Sequence, residues 1–174
     1  MRPGASRVSG FTLTEMLIVS AVLAAAAAVV ISTLGATERA KLNAASSMVA
    51  SDLEQARLLS ISDTTDTTLV RIPSSGAGYW LARSAAVATP IKRTDTQDYA
   101  VTFGVAPADA LAGVAIALTA GGSSDAGGKA VTFDGFGRVV TAGDAAITLS
   151  NPSGSVVITV LNGTGDVLIS RATP

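Results

Sequence analysis

Glu15 stands at the mouth of a long uncharged run, Met16 to Thr37, with no other acidic side chain before it in the chain. A carboxylate at that place is costly unless it is paired or reaches the interface. The run holds about 20 apolar residues, which at about 1.5 Å each match a hydrocarbon core of about 30 Å. Glu15 therefore calls for a partner, or else for extension to the headgroups as long polar side chains do. Other residue types that do chemistry are sparse. The chain has no Cys and no His, which removes thiolate chemistry, disulfide staples, the commonest general base and the commonest metal ligand. A serine nucleophile would need a lysine base, and Lys41, Lys92 and Lys129 sit in no catalytic spacing. Asp63 with Asp66, and Asp95 with Asp98, supply close pairs of oxygen ligands, but no run has the alternating acids and fixed glycine of an EF-hand, so both pairs read as solvated loop residues. Gly135-Phe136-Gly137 and Gly163-Thr164-Gly165 follow no βαβ pattern and read as turn glycines, not phosphate loops. Tyr79, Trp80, Phe103 and Phe133 alternate within strand-like stretches and read as core or sheet-face residues. No enzyme, metal or cofactor is expected.

The elements that must position Glu15 come next. Met1 to Gly10 carries Arg2 and Arg7 and no acid, so the positive-inside rule keeps this end in the cytoplasm and sends the remainder across the membrane. A secretory signal peptide would find an Ala-x-Ala type site within Ala24 to Ala28. Against it stand the length of the run and a helical pattern that continues beyond it. No proline occurs between Arg7 and Ile72, and Gly35 is the one glycine between Gly10 and Gly76, so nothing obliges a helix to break. Leu42, Ala45, Val49, Leu53, Ala56 and Leu59 keep helical spacing, with charged and polar residues on the other faces. One helix is expected from Thr12 to about Ile61, its outer half an amphipathic spine. Of 12 basic side chains Arg2 and Arg7 precede the helix, leaving 10 against 13 acids. That balance offers no basic footprint for nucleic acid.

Past Ser62 the period changes from about four to two. Strands are expected at Thr68 to Ile72, Tyr79 to Arg83, Tyr99 to Phe103, Val114 to Leu118, Ala130 to Phe133, Arg138 to Thr141, Ala146 to Leu149, Ser155 to Leu161 and Val167 to Arg171. A Gly/Ser-rich loop, Ala120 to Gly128, interrupts them. Asp134-Gly135-Phe136-Gly137, Asn151-Pro152-Ser153-Gly154 and Asn162-Gly163-Thr164-Gly165 are hairpin signals, and an antiparallel meander is the simplest topology.

Gly10-Phe11-Thr12-Leu13-Thr14-Glu15 followed by Met16-Leu17-Ile18-Val19 resembles the cleavage and methylation signature of type IV prepilins and of the pseudopilins of type II secretion systems. Asp52-Leu53-Glu54-Gln55-Ala56-Arg57 resembles the Asp-Leu-x-x-Ala-Arg pattern of the GspH and FimT branch. Phe133-Asp134-Gly135-Phe136-Gly137-Arg138 and Gly165-Asp166-Val167-Leu168 resemble the closing strand-turn-strand of GspH-like chains. The stretch from Pro73 to Gly128 matches no such pattern.

The resemblance implies an α+β, pilin-like fold, a long N-terminal helix packed against a C-terminal antiparallel β-sheet domain. Its parts would be a leader at 1–10, a transmembrane helix at 11–37, a spine at 38–62 and a periplasmic β domain at 63–174. It implies cleavage by a prepilin peptidase after Gly10, methylation of the new N-terminus at Phe11, and pairing of Glu15 with the terminal ammonium of a neighbouring subunit. It further implies a minor pseudopilin of the type II secretion pathway, held in the inner membrane and partnered by other pseudopilins and an inner-membrane assembly platform. The alternative is a FimT-like minor type IV pilin that serves pilus assembly, DNA uptake or adhesion. The DNA-binding FimT branch uses a basic C-terminal stretch, whereas Gly165 to Arg171 here contributes one arginine beside one aspartate, so nucleic acid is not the expected partner.

Overall fold

The computed structural model describes residues 12–171 apart from 94 and 126, with all side chains in that range except those at 28–35, 125 and 171. Helix α1 spans Leu13–Ser62, 50 residues without interruption. The chain falls into two compact units, Met1–Thr37 and Glu38–Pro174. In the first unit every described side chain of α1 from Leu13 to Ala27 is exposed, including Leu13, Met16, Leu17, Ile18, Val22 and Leu23.

The second unit contains the rest of α1 and nine described strands. These are β1 (Thr68–Pro73), β2 (Gly78–Arg83), β3 (Ala100–Thr102), β4 (Ala115–Ala120), β5 (Ser123–Asp125), β6 (Gly128–Phe133), β7 (Ala145–Asn151), β8 (Gly154–Val160) and β9 (Val167–Arg171). They form a five-stranded sheet of order β3-β2-β1-β6-β5 and a four-stranded sheet of order β4-β7-β8-β9, with every pairing antiparallel.

Within this unit the helix contributes the stripe Leu42, Ala45, Val49, Leu53 and Ala56, all buried, with Leu59 half-buried beside them. Steps of three and four residues keep these side chains on one helical face. The four-stranded sheet meets the same core with alternate residues, Ile116 and Leu118 from β4, Ala145, Ile147 and Leu149 from β7, and Val156, Ile158 and Val160 from β8. Period-two alternation is what a sheet with one wet face requires. The five-stranded sheet adds Val70, Tyr79, Leu81, Val131 and Phe133. Strand β1 is buried on both faces: its other side places Leu69 with Ala82 and Ala130 under Trp80 and Val87. The Trp80 indole N–H donates to the Val87 carbonyl at 3.1 Å, and the buried Arg71 guanidinium lies 5.8 Å from the indole centre.

Three sequence expectations need correction. Arg138 to Thr141 is not a strand; it leaves the ladder after an isolated bridge between Phe133 and Val139. The Asp134 carboxylate accepts from the backbone N–H of Phe136 and of Arg138 at 2.9 Å each and folds the chain into a turn, which returns Arg138 and Val140 to β6 for that one bridge, with Asp134 N–H donating to the Arg138 carbonyl and Val140 N–H to the Thr132 carbonyl at 2.8 Å each. The Gly/Ser-rich stretch is not all loop, because Ser123–Asp125 forms β5 against β6. Finally, the chain is not one meander. It passes from the first sheet to β4 in the second, returns for β5 and β6, and crosses again to β7. Gly121 and Gly122, at φ of 66° and 75°, turn the chain between β4 and β5. A Cβ on Gly122 would collide with Leu118 and with the Ala130 carbonyl, so the crossing depends on a bare backbone.

Candidate functional site

Gly10 and Phe11, the expected cleavage and methylation residues, and the expected leader at 1–10 lie outside the described residues. Glu15 is described, exposed, in the first turn of α1. Its backbone N–H donates to Thr12 Oγ1 at 3.2 Å, so Thr12 caps the helix. Thr12-Leu13-Thr14-Glu15 fits the Ser/Thr-x-x-Glu capping signature, a local signal the prepilin string overlays. An acid at this position also meets the positive end of the helix dipole. Glu15 thus has a reason to be acidic even within a single chain. The membrane segment expected over 11–37 falls in part on residue 11 and on side chains 28–35, which are not described. Among the described residues no helix is long and apolar enough to cross a membrane.

The second constellation is the Asp-Leu-x-x-Ala-Arg pattern, whose four specified residues divide between core packing and polar ties. Leu53 and Ala56 are core residues with no exposed surface. Asp52, itself buried, accepts from the Tyr79 hydroxyl at 2.6 Å and from the Tyr99 hydroxyl at 2.9 Å. Burial and the adjoining Asp52 carboxylate push the Tyr99 phenol up to about 12, and the same causes raise Tyr79 further. The carboxylate therefore ties β2 and the segment before β3 to the helix. Arg57 forms ion pairs with Glu54 at 3.4 Å and with Asp166 at 3.2 Å. Its side chain lies under Gly137 and Gly165, both at positive φ, where a Cβ on Gly165 would strike the Gly137 carbonyl oxygen. The two C-terminal turns with family-like sequences are thus stacked on one arginine of the helix.

Ser60 completes this edge. Its buried hydroxyl donates to the Phe133 carbonyl at 3.1 Å and accepts from the Thr68 N–H at 2.8 Å, joining the helix to β1 and β6. The paired aspartates each have local partners. Asp63 accepts from the Thr65 hydroxyl and N–H, which hold its carboxyl below the usual range, and pairs with Arg83 at 3.2 Å. Asp66 accepts from Ser84 Oγ, Asp95 from the Gln97 N–H, and Asp98 pairs with Lys92. Among the described residues no group of three or more acidic side chains is placed to hold a metal ion. Of the expected core aromatics, Tyr79, Phe103 and Phe133 are buried together with the helix stripe, and Tyr79 meets Phe103 edge-on at 6.2 Å.

No protein-family model matches the chain, and no curated protein matches it. Among solved structures, the crystal structure of the type IV minor pilin FimU of Pseudomonas aeruginosa strain PAO1 superposes with a TM-score of 0.52 at 16% sequence identity, covering 78% of this chain and 92% of FimU's. The fold is pilin-like. At that identity the likeness speaks for architecture alone, and it agrees with the long helix and antiparallel sheets that the N-terminal and C-terminal motifs implied. Within this fold Asp52 and Arg57 tie the strands and the closing turn to the C-terminal half of α1.

Proposed function

We propose that this chain is a structural, non-catalytic subunit of a membrane-anchored filament of the pilin class. The observation that carries the proposal is the contrast along α1. From Leu13 to Ala27 its described side chains are exposed and largely apolar around the whole circumference, whereas from Leu42 to Ala56 one stripe is buried under the sheets. A helix apolar on every side needs lipid or other helices around it, and the alanine-rich middle, Ala24 to Ala28, suits close helix packing. The first half would insert and polymerise, with the sheet domain facing the periplasm. Assembly requires other pilins or pseudopilins of the same filament, a prepilin peptidase acting at Gly10-Phe11, and an inner-membrane assembly platform.

A minor pseudopilin of a type II secretion system is the first reading, on the Asp-Leu-x-x-Ala-Arg and C-terminal turn patterns. The alternative is a FimT-like minor subunit of a type IV pilus, and the pilin-like fold is compatible with both readings. The test common to both is the intact mass of the full chain extracted from membranes of cells that contain a prepilin peptidase. The expected product lacks Met1 to Gly10 and carries one methyl group on Phe11. A chain beginning within or just after Ala24 to Ala28 would instead mean a cleaved signal peptide and refute the filament reading.

A further inference from the structure

The chain has three asparagines, and the residue that follows each decides its chemistry. Asn43 stands inside α1, before Ala44. Asn151 precedes Pro152, which has no backbone N–H. Asn162 precedes Gly163 in the turn between β8 and β9, where Asn162 is half-buried and Gly163 exposed. Among the described residues no hydrogen bond takes the Gly163 N–H, and a Cβ built on Gly163 would meet nothing within 4 Å. Asn162 is also a latch. Its side-chain Nδ2 donates to the Thr141 carbonyl at 2.5 Å and its backbone N–H donates to Asp144 Oδ1 at 2.9 Å, which holds the segment leading into β7 to the end of β8. The turn itself is closed by Gly165 N–H on the Leu161 carbonyl at 2.7 Å and by Leu161 N–H on the Asp166 carbonyl at 3.0 Å. Asp134 precedes a glycine too, but its carboxylate is occupied by the N–H of Phe136 and by the N–H and guanidinium of Arg138.

We propose that Asn162 is a site of spontaneous covalent modification, at which the Gly163 nitrogen displaces the side-chain amide and the product unlatches the turn between β8 and β9. The Gly163 nitrogen gives its proton to hydroxide and attacks Asn162 Cγ. A Cγ–N bond forms, which closes a cyclic imide, and the Cγ–Nδ2 bond breaks, so that Nδ2 leaves as ammonia with a proton from water. Water then opens the imide at either carbonyl. Breaking the new Cγ–N bond leaves aspartate, whereas breaking the original peptide bond leaves isoaspartate, with the main chain running through Cβ. The sum is water in and ammonia out, with no change of oxidation state. Glycine suits this attack because no side chain shields its nitrogen and its backbone turns freely. In either product a carboxylate oxygen faces the Thr141 carbonyl where an N–H donor stood, and two acceptors cannot bond. Isoaspartate goes further, since an extra methylene in the main chain does not fit the Leu161–Gly165 closure, and the following Gly165 loses its seat against Gly137 and Arg57. This inference does not rest on the filament reading, because it concerns the isolated chain.

The experiment incubates the folded full chain in detergent micelles at mildly alkaline pH, in water enriched in ¹⁸O, beside a sample unfolded in guanidinium. Peptide mapping by mass spectrometry then follows all three asparagines, with isoaspartate separated from aspartate. Expected is conversion at Asn162 alone in the folded chain, with one ¹⁸O atom taken up and isoaspartate among the products, at a slower rate than in the unfolded chain because the Thr141 hydrogen bond restrains the amide. Gly163→Val, at a position with open space and no positive φ, keeps the melt of the sheet domain and shields the attacking nitrogen with a β-branched side chain, so conversion should slow severalfold. Converted protein should melt below fresh protein, and below Asn162→Asp, which loses the amide without lengthening the main chain. No conversion of folded Asn162 while the unfolded chain converts, an equal rate in Gly163→Val, or earlier conversion at Asn43 would each overturn the proposal. So would an unchanged melt of isoaspartate-containing protein.

Discussion

Replacing Asp52 with alanine tests whether the helix holds the sheet domain through this carboxylate. Two hydroxyl donors, at 2.6 and 2.9 Å, lose their acceptor. Hydrogen bonds to a charged group contribute about 1.5–3 kcal/mol each. The Tyr79 hydroxyl is deeply buried and meets the full cost, while the half-buried Tyr99 can recover a bond to water. Part of the loss is offset because alanine removes a buried charge, whose desolvation is unfavourable. The expected net destabilisation is about 2–4 kcal/mol, which for a unit of this size lowers the melting temperature by about 8–15 °C. Asp52→Asn, which keeps an acceptor oxygen, should cost roughly half as much. The assay is the circular dichroism melt of the full chain in detergent, for Asp52→Ala, Tyr79→Phe and the double variant. The cycle should show coupling of at least about 1 kcal/mol between the two positions. A melt of Asp52→Ala within about 2 °C of wild type, or additive single effects, would refute the argument that this group ties β2 to the helix.

Two further outcomes follow from the same packing. Both tyrosines of the chain donate to Asp52, and their folded phenols titrate above the ordinary value near 10. A raised phenol favours the protonated folded state, so its contribution is present below about pH 10 and is lost as pH rises toward about 12, where Tyr99 ionises. Tyrosinate absorbance should therefore show no step near pH 10 while the protein is folded, and a normal step there would contradict the buried pairing. Gly165→Ala should destabilise by more than about 2 kcal/mol, because φ is 73° and the new methyl meets the Gly137 carbonyl, whereas Gly163→Ala, with open space around it, should stay within about 0.5 kcal/mol in the same melts.

The helix is legible in the sequence because Leu42, Ala45, Val49, Leu53 and Ala56 repeat with the period that burial of one face demands, and no proline interrupts them. The strands of the second sheet are legible for the same reason at period two. Long-range pairing is not. Nothing local links Asp52 to tyrosines 27 and 47 residues away, and a carboxylate on a spine face looks like solvated polarity until the sheet covers it. Ser123–Asp125 escapes a local reading because glycine and serine signal turns, while its strand character comes from the neighbouring β6 ladder. Arg138 to Thr141 fails in the opposite direction: its alternation is strand-like, but after the Asp134 turn it meets β6 at a single bridge and goes no further. Glu15 is the residue on which two physical accounts meet, a capped helix start and a docking charge.

The measurement that separates those accounts is site-directed crosslinking of Glu15→Ala and Glu15→Gln to neighbouring subunits in membranes, beside wild type. If Glu15 neutralises the ammonium of a neighbour's processed N-terminus, both variants lose heteromeric crosslinks while cleavage, insertion and the melt of the sheet domain stay unchanged. Removing one partner of a buried pair strands the other, so the loss should be large and Glu15→Asp only a partial rescue. Crosslinks at wild-type level in both variants would show that Glu15 serves the helix end alone, and would contradict the account of this chain as a subunit docked through that charge.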